Sequence, residues 1–102
     1  MRRYNTMLDL FKDSSHWNGG HHMFTDEAGA EISWLIDPAS VASCSIVGAM
    51  YLVYKGDSWI AARNALADAL RHLPGIQTDK IIAFENNATH AEVLALLRKA
   101  GV

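Results

Sequence analysis

Cys44, five histidines (His16, His21, His22, His72 and His90) and three tryptophans (Trp17, Trp34 and Trp59) are the side chains of this 102-residue chain best suited to chemistry or recognition. A lone cysteine becomes a nucleophile when its thiol loses its proton easily, which a helix N-terminus promotes. With Ser43 as the N-cap, Cys44 opens a helix, and a histidine, with His21 and His22 the candidates, would serve as its base. The competing reading is a small buried hydrophobe shielded from alkylation, the commoner state of a free cysteine.

The histidines do not suggest a metal. His21 and His22 are adjacent, and neighbours on a strand point to opposite faces. No His-x-His or His-x-x-x-His spacing occurs, so the sequence implies neither a metal site nor a cofactor. Trp17 stands in the loop Trp17-Asn18-Gly19-Gly20, where an aromatic beside glycines suits a pocket or an interface. Trp34 and Trp59 sit in periodic apolar patterns and read as core. Asn86-Asn87 marks a second turn. The binding candidates are therefore Trp17, Gly20 and Asn86, which either converge with Cys44 on one side of the domain or each serve a local turn or core contact of their own.

These residues need elements to hold them. Met7, Leu8, Leu10 and Phe11 predict a short amphipathic helix over 6–12, stopped by Ser14, Ser15 and Asn18-Gly19-Gly20. His21 to Ile36, with Gly29 at its turn, predicts a β-hairpin. Asp37-Pro38 is an N-cap followed by proline at the first helical position. One short turn follows, broken at Ser43, and then a buried helix from Cys44 to Tyr54. Val41 to Tyr54 is fourteen residues without a charge. That is too short for a membrane span of ~20 residues, and it implies a core element covered on both sides. Asp57 or Ser58 caps the next helix, which turns Trp59, Ala62, Leu66, Ala69, Leu70 and Leu73 to one face and ends at Pro74-Gly75. A short segment from Thr78-Asp79 carries Ile81, Ile82 and Phe84. Thr89-His90-Ala91-Glu92 is a capping box for a last helix ending at Gly101. Leu66, Leu70, Val93, Leu97, Ile46 and Met50 should be buried together.

Nine Lys and Arg against eleven Asp and Glu give a formal charge of -2, which offers no general attraction for phosphate backbones. The final helix resembles a DNA-reading helix in position, yet its cations, Arg98 and Lys99, lie at the far end and its apolar face is too broad to spare for a groove. The basic doublets Arg2-Arg3 and Arg98-Lys99 read as solvated. No apolar signal region follows Met1-Arg2-Arg3, and a single cysteine excludes an intramolecular disulfide framework, so a reducing cytoplasm is the expected place.

Trp17 with Gly20, Cys44-Ser45-Ile46-Val47-Gly48-Ala49, Ile82-Ala83-Phe84-Glu85-Asn86 and the helix from Thr89 to Ala100 together resemble a family of small actinobacterial and phage proteins, a domain of unknown function. That family carries Trp-x-x-Gly, Cys-Ala-x-Gly-Ala and Trp-Asn-Asp motifs. Here Ser45 replaces the usual Ala, and Phe84-Glu85-Asn86 stands in place of Trp-Asn-Asp. The resemblance implies an association with phage or mobile elements and no established activity.

The sequence thus predicts one globular domain over 1–102. Its class is α+β, mostly α, with four or five short helices around a central apolar helix and one β-hairpin. The leading function is a non-enzymatic binding or regulatory protein whose partner is a protein or a small molecule, not nucleic acid or membrane, with self-association left open. The alternative is a small thiol-dependent enzyme using Cys44 and a histidine.

Overall fold

The structure, a computed structural model, describes residues 1, 3–32, 37–76, 78 and 80–102. Trp34 and the rest of the second expected hairpin strand beyond Ile32, Arg2 of the first basic doublet, and Asp79 lie outside the described residues. In chain order the elements are α1 (Met7–Phe11), β1 (Phe24–Thr25), β2 (Ser43–Cys44), α2 (Ile46–Val53), α3 (Asp57–Arg71), α4 (Ile81–Glu85) and α5 (His90–Ala100). Turns of 3₁₀ helix lie at Ser14–His16 and Pro38–Ser40. Of the described residues, 53% are helical and 6% are in strand, so the fold is α+β and mostly α. No described helix is long and apolar enough to cross a membrane.

The strongest periodic patterns make the frame. α3 turns Ala62, Leu66, Ala69 and Leu70 inward and packs against α5, which turns in Val93, Leu96 and Leu97. The capping box starts α5 as the sequence requires: the Glu92 amide donates to Thr89 Oγ1 at 3.2 Å and the Thr89 amide to Glu92 Oε1 at 2.9 Å. α3 starts differently. Gly56 is its N-cap at φ +56°, and the Ser58 hydroxyl is turned back onto the Lys55 amide and carbonyl instead of capping the helix.

α1 spans 7–11 within the expected 6–12, capped by Thr6. Its last carbonyls would otherwise be orphaned. His16 Nδ1 reaches the Leu10 carbonyl at 2.8 Å and His90 Nε2 the Phe11 carbonyl at 2.7 Å. A carbonyl can only accept, so each of these ring nitrogens carries the proton. At the other end of α1, the Val102 carbonyl accepts from the Met7 amide at 2.6 Å and from the Tyr54 hydroxyl at 2.9 Å. Leu66, Leu70, Val93, Leu97, Ile46 and Met50 belong to one buried cluster with Met7, Leu10 and Phe11, none of them more than 1% exposed.

Three expectations change around α2. The turn at Gly29 forms, with the Asp26 amide donating to the Ala30 carbonyl and Thr25 bridging Glu31, but the ladder partner of β1 is β2, antiparallel, with Phe24 opposite Cys44 and Thr25 opposite Ser43. Cys44 is therefore a strand residue, not the first residue of a helix. Ser45 is the N-cap, its hydroxyl accepting from the Gly48 amide at 3.0 Å, while Ser43 pairs its hydroxyl with Thr25. The third change is coverage. α1, α3 and α4 pack on α2, yet Tyr51 remains 43% exposed, so the charge-free helix is not sealed on both sides.

Gly48 explains how α2 comes so close to the sheet. A Cβ there would lie 2.2 Å from the Met23 carbonyl oxygen, so any side chain would drive the helix off β1.

Candidate functional site

Two of the sequence candidates, Trp17 and Gly20, meet at a residue that the sequence did not single out, Glu85. The last residue of α4, it is buried, 3% exposed. Its Oε2 accepts from Trp17 Nε1 at 2.7 Å and from the Ile46 amide at 2.7 Å. Ile46 is the first residue of α2, so the carboxylate sits on a free amide at the positive end of that helix dipole. Gly20 lies against the same side chain. A Cβ on Gly20 would fall 2.8 Å from Glu85 Cγ, and its φ of +83° also favours glycine.

Asn18 shapes the loop that brings Gly20 there. Its Oδ1 accepts from the Gly20 amide at 3.1 Å, its Nδ2 donates to the His22 carbonyl at 2.8 Å, and its own amide donates to the Cys44 carbonyl at 3.2 Å. Trp17 also bridges Cys44 in parallel, so β2 is bracketed by β1 on one side and by the Trp17 loop on the other.

Burial raises the Glu85 carboxyl above the usual carboxylate range, against the two hydrogen bonds, which act to lower it. Burial also pushes the Cys44 thiol up, and the neighbouring Glu85 charge adds to the effect. Cys44 has no exposed surface. The histidines expected to activate it are engaged elsewhere or exposed: His22 Nδ1 lies 3.7 Å from Glu31 Oε2, and His21 is exposed. A third histidine, His90, tilts over Trp17 with ring centroids 6.2 Å apart. Among the described residues no group of three His, Cys, Asp or Glu gathers as metal ligands.

Asn86 parts from the other candidates. It is exposed at the end of α4 and lines a groove of about 580 Å³ between α2, α3 and α4. Val47, Met50 and Tyr51 of α2, Trp59 and Arg63 of α3, Lys80, and Ile81, Ile82 and Ala83 of α4 also line it. Ile82 is 66% exposed. Trp59 stacks obliquely against Tyr51, centroids 5.4 Å apart, and the Arg63 guanidinium lies 5.4 Å from the Trp59 ring centroid. The Trp59 indole nitrogen is buried and has no acceptor among the described residues. Trp59, expected in the core, thus edges a groove, whereas Trp17, expected at an interface, is half-buried and tied to Glu85.

A model for a family of unknown function, DUF6197, matches residues 6–101. The chain belongs to that family. No curated protein and no solved structure matches the chain. The matched span takes in both regions, the Glu85 junction and the groove. Membership in DUF6197 brings no activity with it.

A spacing signal for Glu85 was present. Ile81, Phe84 and Glu85 stand at i, i+3 and i+4, which share one face of a helix, so a helical reading of 81–85 puts the carboxylate on the apolar side. Read residue by residue, it looks like a solvated charge between Phe84 and Asn86.

Proposed function

We propose that this chain is a non-enzymatic binding protein that engages a partner protein through the groove between α2, α3 and α4. The observation that carries the reading is an exposed apolar surface: α2 has no charged residue, and its Val47 and the 43% exposed Tyr51 line one groove with the 66% exposed Ile82 and with Trp59. Contiguous exposed apolar surface of this kind marks interaction sites more than it serves folding. Burial of Cys44 and the rise of its thiol support binding over the thiol-dependent alternative, because the thiolate is the nucleophile and burial disfavours it. A reducing cytosol, where a lone thiol stays free, is the compartment this reading favours.

Site-specific photo-crosslinking in cells that make the protein tests it. A photoreactive phenylalanine analogue at position 82 should give discrete protein adducts, and the same analogue at Ala95, exposed on α5 away from the groove, should not. Equal adducts at both positions, or none at 82, would remove the groove as the binding surface.

A further inference from the structure

We propose that the occupant of the groove is an amphipathic helix of a partner protein, with apolar side chains set on Trp59 and Ile82 and a carboxylate set against Arg63 and Lys80. This rests on the groove being the binding surface and adds the chemistry of what fills it.

Shape argues for a helix. Val47 and Tyr51 stand at i and i+4 on α2, above the buried Met50, and Ile81, Ile82 and Ala83 of α4 line the same groove. A trough between two helices takes the ridge of a third, and laying an apolar helix face into such a trough is a common mode of peptide recognition. The groove is also open. Ile82 and Tyr51 are 66% and 43% exposed, so a small molecule seated on the floor would leave Ile82 largely wet, whereas a helix lying along the trough covers it.

Charge argues for an acidic residue on that helix. The described residues lining the groove include two cations, Arg63 and Lys80, and no carboxylate, in a chain whose formal charge is -2. Neither cation forms an ion pair with a described residue. Arg63 is held over the Trp59 ring, which keeps its guanidinium at the rim where a partner carboxylate can take it in two parallel hydrogen bonds. The cationic rim is therefore a local feature set against the overall charge, which favours specificity for an acid-bearing apolar face.

Selection from a displayed library of random peptides about four helical turns long tests this, with the whole chain as bait and Ile82→Arg as the counter-bait. Peptides kept by the wild type and lost on Ile82→Arg should be net negative, with apolar residues at helical spacing. Resynthesised, they should bind the Arg63→Glu/Lys80→Glu variant about tenfold more weakly at low salt, with the gap narrowing as salt rises. Neutral or basic peptides that still depend on Ile82 would overturn the acidic partner and leave the groove reading intact. Peptides indifferent to Ile82→Arg, or none retained, would overturn both. Self-association of the wild type that Ile82→Arg abolishes would assign the groove to a second copy and overturn the proposal.

Discussion

α4 divides the molecule's two regions of interest with five residues. Its Phe84 and Glu85 are buried, and Glu85 binds the Trp17 indole and the α2 amide, whereas its Ile82 and Ala83 face the groove and solvent. The junction gathers polar groups and seals them, each named donor with its acceptor. The groove gathers apolar groups and leaves them wet. Buried polar groups satisfied in this way hold segments in place, while exposed apolar ones are what a partner can cover. The residues that look most like chemistry in the sequence, Trp17, Gly20 and Cys44, thus belong to the sealed junction, and the groove proposed for binding is built largely from residues that read as ordinary core.

The comparison is sharpest at Cys44. If the junction is sealed, alkylation of the folded protein at neutral pH should be slower than that of the unfolded chain by about a thousandfold or more, equivalent to about 4 kcal/mol of opening free energy. Thiol-reaction kinetics with and without denaturant measure the ratio. Rates within a few-fold of each other would make the junction accessible and return Cys44 to the list of reactive residues.

Glu85→Ala comes next. It removes the acceptor for Trp17 Nε1 and the Ile46 amide and leaves a cavity beside Gly20, so it should cost about 3 kcal/mol. Ile82→Arg in the groove should stay within ~0.5 kcal/mol of wild type. Urea unfolding of the two variants places them side by side, and equal losses would erase the distinction between the regions. Gly48→Ala should cost about 2 kcal/mol through its clash with the Met23 carbonyl. Elsewhere inside a helix the same change gains about 1 kcal/mol, so a neutral or stabilising result would mean that α2 can move away from β1.

Why these regions were unequally legible follows from the range of the forces that build them. The Thr89–Glu92 box and the apolar stripes of α3 and α5 are local signals, satisfied within one or two turns, and they appear where the spacing puts them. The pairing of Phe24 with Cys44 joins two-residue strands that carry no periodicity of their own. Ser43 and Ser45 are equally good N-caps in isolation. The choice fell to Ser45 because Ser43 is drawn into the sheet opposite Thr25, a contact between segments far apart in sequence. That one shift removed Cys44 from the helix terminus on which its expected reactivity depended. The groove was hidden for a related reason: a charge-free stretch signals burial, and nothing within 41–54 says that the fold leaves Tyr51 43% exposed.

The smallest effect, and the finest test of the junction, is its dependence on pH. Burial lifts the Glu85 carboxyl above its value in the unfolded chain, while the bonds from Trp17 and the Ile46 amide pull the other way. A group whose native pKa is raised holds more protons in the folded state between the two values. Its contribution to stability is therefore complete below the ordinary glutamate range and declines as pH rises through the raised native value, with a slope of at most about 1.4 kcal/mol per pH unit. Asp13 acts in the opposite sense and in a different window. Hydrogen bonds from Ser15 lower its carboxyl, so its contribution is lost as pH falls through values below the usual aspartate range. Glu85→Gln keeps an acceptor oxygen and removes the titration. The stability difference, wild type minus Glu85→Gln, measured by urea unfolding across the acidic to neutral range, should fall with pH and then level off. A difference that rises with pH instead would mean that the two hydrogen bonds and the α2 dipole outweigh burial, making the junction a charge-assisted clamp held by an ionised Glu85.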